Sequence, residues 1–67
     1  MIEVTVNGEP HRFEQALQVA DLLASLSLAG KKVAVERNGE IVPRSRYGET
    51  KIENGDALEI VGAVGGG

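Results

Sequence analysis

The sequence predicts a single α+β domain in which one helix packs on one face of a mixed sheet of four or five strands. Three features predict it: runs of alternating apolar and polar residues, one segment with helical spacing of apolar residues, and three Asn-Gly turn signals. A chain of 67 residues forms one domain with a thin core, and no cysteine is available to cross-link it. We therefore predict a domain over residues 1–64 and a flexible glycine tail over residues 65–67.

A hairpin is predicted at the start of the chain. Residues 2–6 alternate apolar and polar side chains, as in a strand with one buried face. Asn7-Gly8 accepts the positive φ angles of a tight turn, and the return strand extends from about residue 9 to residue 13. Pro10 has no amide proton, so we expect it at the start of its strand or facing away from the sheet.

The hydrophobic periodicity changes at Val19. Val19, Leu22, Leu23 and Leu26 are spaced as i, i+3, i+4 and i+7, which predicts a helix of about three turns with one apolar stripe. Gly30 is the predicted end of this helix, because glycine readily adopts the left-handed conformation that follows a last turn.

The remaining strands follow the helix. Residues 33–37 are rich in β-branched side chains and predict a mostly buried strand, which Asn38-Gly39 joins to a short partner at residues 41–42. Residues 44–51 are polar and irregular, with at most one helical turn, and residues 58–61 form the final strand. No tight turn joins that strand to a neighbour, so it can lie parallel to the first strand. This order is that of the ubiquitin-like β-grasp.

Composition argues against several classes of protein. The net charge of −3 argues against binding to nucleic acid, and no apolar run is long enough to cross a membrane or to serve as a standard signal peptide. Without cysteine, and with His11 as the only histidine, the sequence predicts no metal site, and it contains no phosphate loop or paired catalytic carboxylates. We therefore expect a cytoplasmic protein, monomeric on its own, with no catalytic residues.

The glycine run at residues 65–67 is the sharpest functional signal. It directly follows a well-patterned strand, and glycine adopts extended and strained backbone angles without steric cost from a side chain. A tail without side chains can enter a narrow channel and present its carboxylate to the active site of another protein. We therefore predict that the working group is the carboxylate of Gly67.

Several stretches of the sequence resemble the ThiS family, the sulfur carriers of thiamine biosynthesis. The most specific feature is the combination of the Asn-Gly-Glu-Ile-Val-Pro-Arg stretch with the terminal glycines, since either one alone would be weak evidence for the family. The matching stretches are residues 19–23, 33–36, 38–44 with Tyr47, 54–56, 58–61 and 64–67. Two positions depart from the family pattern: Gln18 stands where many relatives have a stronger helix cap, and Gly62 where they carry a bulkier residue.

The resemblance implies a mechanism in which the chain binds no cofactor. A ThiF-like adenylyltransferase would use ATP to convert the Gly67 carboxylate into an acyl-adenylate. Sulfur from a persulfide donor would then displace AMP and leave a thiocarboxylate, from which a ThiG-like thiazole synthase would take the sulfur. Gly65 and Gly66 would thread the active site of the partner. The residues expected to dock on the partner are Val61, Ala63, Val64, Arg44 and Arg46.

Three alternative functions remain open. The small subunit of molybdopterin synthase would share the chemistry but bind a large subunit permanently. In a β-grasp interaction domain without carrier chemistry, the terminal glycines would have no role in the function. A ubiquitin-like conjugation protein would join the same carboxylate to a lysine.

Overall fold

The computed structural model describes residues 1–62, so the predictions for residues 63–67 lie outside the described part of the chain. Seven strands and one α-helix occur in residues 1–62, together with one turn of 3₁₀ helix. In chain order they are β1 (Ile2–Val6), β2 (Glu9–Phe13), β3 (Leu17–Gln18), α1 (Val19–Ser25), β4 (Val33–Arg37), β5 (Glu40–Val42), the 3₁₀ turn (Arg44–Arg46), β6 (Lys51–Ile52) and β7 (Ala57–Gly62).

The main sheet has five strands in the order β2-β1-β7-β4-β5. β7 runs parallel to β1, with Thr5 opposite Ala57 and Val6 opposite Leu58, while the other neighbours are antiparallel. This mixed sheet with one helix confirms the predicted β-grasp arrangement. Pro10 is the second residue of the edge strand β2, where its missing amide proton is tolerated.

A second, two-stranded sheet of β3 and β6 was not predicted. It pairs Leu17 with Ile52 and Gln18 with Lys51 in antiparallel register. Two residues per strand are too few to produce a recognisable alternation, so the sequence pattern carried no signal for it.

The helix is shorter than predicted. It ends at Ser25, and the predicted stop at Gly30 is wrong. Ser27 takes the left-handed conformation at φ 62°, its amide donates to the Ala24 carbonyl at 3.1 Å, and the Leu28 amide donates to the Leu23 carbonyl at 2.7 Å. These two bonds form a Schellman motif, in which a serine occupies the position usually held by glycine. No helix within residues 1–62 is long and apolar enough to cross a bilayer.

Backbone groups from a distant loop compensate for the weak cap at the start of α1. The amide of Val19 donates to the Thr50 carbonyl at 2.9 Å, and the amide of Ala20 donates to the Tyr47 carbonyl at 2.9 Å. The Asp21 carboxylate accepts from the Gln18 amide at 3.0 Å. The first helical amides therefore have partners although residue 18 is not serine or threonine.

The core lies between α1 and one face of the main sheet. Its buried members are Val4, Val6, Val19, Leu22, Leu23, Val35, Val42, Ile52, Leu58 and Ile60. The prediction that β4 is mostly buried is wrong: Val35 is its only buried residue, while Ala34 and Glu36 are exposed. β4 is covered by the helix on one face only, so its side chains alternate between core and solvent.

The two predicted hairpin turns are confirmed by their backbone angles. Asn7 and Gly8 have φ of 52° and 85°, and Asn38 and Gly39 have φ of 54° and 86°. Two successive positive φ angles are what a type I′ turn requires, and asparagine and glycine adopt them most easily.

Candidate functional site

The candidate site is the end of β7 from which the chain continues toward the terminal glycines. Gly62 lies opposite Val33, and Val61 lies opposite Ala34 on β4. We refer to these four residues as the exit end. The predicted site residues Ala63, Val64 and 65–67 lie outside the described residues, so the exit end is the described structure that directly precedes them.

β7 is a central strand with a partner along each side. On one side it pairs with β4 over five positions, from Val33–Gly62 to Arg37–Leu58. On the other side the Thr5 amide donates to the Asp56 carbonyl at 3.1 Å, and the Asn7 amide donates to the Leu58 carbonyl at 2.8 Å. Main-chain bonds therefore hold β7 from both sides as far as Leu58, and β4 alone continues the pairing to Gly62.

The side chain of Asn7 extends this pairing by one more residue. Its Nδ2 donates to the Ile60 carbonyl at 3.0 Å, and its Oδ1 accepts from the Ile60 amide at 2.8 Å. The main chain turns away at Asn7, so the side-chain amide occupies the place of the next residue of β1. Sequence reasoning identified Asn7 only as a turn residue, because its partner lies 53 positions away.

A buried carboxylate holds the start of β7. Asp56 is only 6% exposed and accepts three hydrogen bonds: from Arg37 Nε at 2.6 Å, from the Glu53 amide at 2.8 Å and from Asn38 Nδ2 at 3.0 Å. Asn38 in turn accepts from the Ala57 amide at 2.9 Å. The network thereby joins the β4–β5 hairpin to the turn that begins β7.

The same network sets the protonation of its two charged members. Burial alone would raise the pKa of Asp56, but the hydrogen bonds from Arg37, the Glu53 amide and Asn38 outweigh it and lower the pKa below its usual value. The bond to Asp56 raises the pKa of Arg37. Both groups remain charged at neutral pH and form a structural ion pair.

The structure places the two predicted docking arginines at different points. Arg44 lies near the exit end: its Nη2 donates to the Lys31 carbonyl at 3.4 Å. With Lys32, Val33 and Tyr47 it lines a groove of about 330 Å³. The Tyr47 hydroxyl donates to the Val33 carbonyl at 3.2 Å, which ties the 3₁₀ segment to the start of β4.

Arg46 lies away from the exit end. It lines a different groove, of about 280 Å³, together with Arg37, Glu40 and Thr50. Arg37 and Glu40 are paired where β4 meets β5, at the opposite end of β4 from Val33. Ile41, Val42 and Pro43 line both grooves, so Arg44 lies on the side of this segment toward Val33 and Arg46 on the side toward the β4–β5 turn.

The third described docking residue, Val61, lies on the exposed face of the sheet. Val61 is 57% exposed, and Ile41 on β5, which points to the same face of the sheet, is 74% exposed. Sequence reasoning did not select Ile41 or Ala34 for this surface. The alternation of exposed Ile41 with buried Val42 was the available signal, but β5 has only three residues.

His11 lies on β2, half-buried, with its ring stacked on Phe13 at a centroid distance of 6.5 Å. Within residues 1–62 no group of three or more histidine, aspartate or glutamate side chains is arranged to hold a metal ion. The described contact of His11 is thus an aromatic one on the hairpin.

Comparison with known proteins gives a consistent result. The profile of the ThiS family matches residues 4–67. A sulfur carrier protein ThiS from Bacillus subtilis is 51% identical over 49 residues, which cover 73% of this chain and 74% of that protein. The crystal structure of a thiamine biosynthesis protein, ThiS, from Geobacter metallireducens superimposes with a TM-score of 0.84 at 38% identity, covering 98% of this chain and all of that one.

Longer proteins also contain a matching region. A thiazole synthase from Paramagnetospirillum magneticum is 46% identical over 66 residues, or 98% of this chain, but this is 20% of that protein. The chain thus spans about a fifth of the length of such relatives.

Proposed function

Because the chain belongs to the ThiS family, we propose that it is a sulfur carrier that supplies sulfur for thiazole formation in thiamine biosynthesis. The family match over residues 4–67 carries this proposal, since it includes the glycines as well as the domain. The fold supports it: β7, bonded on both sides, leads directly toward those glycines. The chain would contribute position and a carboxylate, and its partner enzymes would supply the catalysis.

The proposed chemistry begins at the carboxylate of Gly67. A carboxylate is a poor electrophile, so an oxygen of Gly67 first attacks the α-phosphorus of ATP, and pyrophosphate leaves. A persulfide sulfur then attacks the carbonyl carbon and AMP leaves. Cleavage of the resulting S–S bond by a thiol yields the thiocarboxylate. Gly65 and Gly66 allow this approach because they place no side chain in the partner's channel.

Two partner enzymes follow from this chemistry. A ThiF-like adenylyltransferase would activate Gly67 with ATP, and a ThiG-like thiazole synthase would receive the sulfur. The thiazole synthase that contains a region 46% identical to this chain supports the second partner. Domains joined in one protein often act on one another. We place these encounters in the cytoplasm, with the carrier monomeric between them.

The proposed docking surface surrounds the exit end. Val61 is exposed there, and Ala63 and Val64 follow it in the sequence. Arg44 supplies a cation at the same end. Arg46 is also expected to dock, but it lines the groove beside Arg37 and Glu40, so it has a smaller part in the proposal.

Intact-mass spectrometry tests the proposal. The purified chain is incubated with the adenylyltransferase, ATP and a sulfide source, and we expect the mass change of one oxygen replaced by sulfur. Fragmentation should place the sulfur on Gly67 and confirm that the chain ends there. A conjugate with lysine would instead identify a protein modifier, and an unchanged mass would contradict the carrier function.

A further inference from the structure

The face of the main sheet opposite α1 is uncovered in residues 1–62. Because side chains alternate along a strand, the residues of the neighbouring strands β7, β4 and β5 that point away from the core lie together on this face. They include Ala34 and Glu36 on β4, Ile41 on β5, and Glu59 and Val61 on β7, and these five are exposed. We refer to these five residues as the outer face.

Two carboxylates of the outer face lie directly opposite each other. Glu36 on β4 is the register partner of Glu59 on β7. Like charges at directly opposed positions of a sheet are destabilising. None of the three ion pairs found within residues 1–62 involves either residue. The outward carboxylate of Glu3, in contrast, is paired with its register partner Arg12 at 3.4 Å.

Apolar side chains border this carboxylate pair on two sides. Ile41 is the register partner of Glu36 on β5, so Ile41, Glu36 and Glu59 form one row across three strands. Ala34 and Val61 form the adjacent row toward the exit end. An exposed isoleucine and valine, beside two carboxylates that have no ion-pair partner within residues 1–62, form the apolar and charged parts of a protein-binding surface.

We propose that the outer face docks on the adenylyltransferase through an arginine or lysine of that enzyme, which lies between Glu36 and Glu59 while apolar groups beside it cover Ile41 and Val61. This inference rests on the proposed function, because that enzyme must receive the chain beyond Gly62. A cation between the two carboxylates replaces their repulsion by two attractions, and the planar guanidinium of arginine suits two carboxylates particularly well.

Charge complementarity argues against other occupants of the outer face. A second copy of this chain, docked by the same face, would bring four carboxylates together without a cation. An anionic membrane surface would likewise repel them. The part of the partner that faces Glu36 and Glu59 must therefore carry a positive charge, and Val61 makes the outer face continuous with the exit end.

The test compares Glu36→Gln, Glu59→Gln and the double variant with Glu49→Gln, which removes the same charge in the loop before β6. Affinity for the adenylyltransferase is measured by calorimetry at low and high salt. We expect each outer-face variant to bind roughly tenfold more weakly at low salt, with a smaller salt dependence, because a desolvated charge pair is lost. Glu49→Gln should bind like the unmodified chain.

Thermal unfolding of the free variants provides a second measurement. Relief of the opposed charges should raise the melting temperature of Glu36→Gln or Glu59→Gln by about 1–4 °C. A lower melting temperature would show that the two carboxylates stabilise the folded chain, and it would overturn the inference. The inference would also be overturned if the double variant bound with unchanged affinity, or if Glu49→Gln weakened binding as much as the outer-face variants. In either case, sulfur transfer to Gly67 would still support the proposed function. If the unmodified chain does not bind the adenylyltransferase, both proposals are wrong.

Discussion

The side-chain amide of Asn7 makes both of its hydrogen bonds with the backbone of Ile60, donating to the carbonyl at 3.0 Å and accepting from the amide at 2.8 Å. The same residue forms the first hairpin turn with φ 52°. Asn7 therefore links a local turn to the strand that leads to the terminal glycines.

Asn7→Gly should lower the free energy of unfolding by about 1–3 kcal/mol, because two buried backbone groups of Ile60 lose their partner. Glycine retains the left-handed conformation, so the effect reports the side-chain bonds. Urea denaturation measures it. Asn7→Ala should be less stable still, since alanine also pays the cost of a positive φ angle. Stability of Asn7→Gly equal to that of the unmodified chain would show that the bonds to Ile60 contribute nothing.

Asp56→Asn should lower stability at neutral pH by about 2–3 kcal/mol, because an amide cannot accept all three hydrogen bonds or pair with Arg37. The pKa of Asp56 is lowered in the folded state, so its stabilisation is fully present above the ordinary value of 3.8 that applies to the unfolded chain. It is lost as the pH falls through the lower, folded value. The difference in melting temperature between the two proteins should therefore be constant from pH 7 to about 5 and shrink below about 4. A difference independent of pH would contradict the role of the charge.

Ser27→Gly should stabilise the chain by about 0.5–1 kcal/mol, because glycine adopts the φ of 62° at this position without strain. Ser25→Gly is the matched control. Ser25 is helical and its hydroxyl donates to the Leu22 carbonyl at 2.8 Å, so glycine there should destabilise by about 1 kcal/mol. Thermal unfolding followed by circular dichroism distinguishes the two. Changes of the same sign would argue against Ser27 as the left-handed residue that ends α1.

Deletion of Gly67 should sharply reduce thiocarboxylate formation. The carboxylate of Gly66 has the same chemistry but lies roughly 3.5 Å short, and a misplacement of 1 Å can cost about a hundredfold in rate. One residue added after Gly67 should be equally harmful. Intact mass after incubation with the adenylyltransferase, ATP and sulfide is the assay, and melting temperature is the control for folding. Full sulfur incorporation in either variant would refute the assignment of Gly67.

Arg44→Ala should weaken binding to the adenylyltransferase more than Arg46→Ala. Arg44 lies beside Lys31 and Val33 at the exit end, whereas Arg46 lies in the groove with Arg37 and Glu40. Both substitutions remove one exposed charge, so they control for each other. Calorimetry should show a several-fold loss for Arg44→Ala and almost none for Arg46→Ala. A larger loss of affinity for Arg46→Ala than for Arg44→Ala would show that the docking surface lies nearer the β4–β5 hairpin.

Features that depend on local patterns could be predicted from the sequence. Alternation predicted β1 and β7. Asn-Gly pairs predicted the hairpin turns at residues 7–8 and 38–39 with their positive φ angles, and the first of these turns predicted β2 as its return strand. The glycine run and the 38–44 stretch indicated the family. These inferences succeeded because side-chain periodicity and turn geometry depend on residues close together in the chain.

Features that depend on contacts between distant residues could be seen only in the folded chain. The helix ends at Ser25 because Leu28, which packs against the core, closes a bond to Leu23, whereas Gly30 had been expected to end it. Asn7 meets Ile60 and Glu36 faces Glu59 because the register of β7 between β1 and β4 brings them together. Strand register is set by packing over the whole sheet, so no short stretch of sequence contains it.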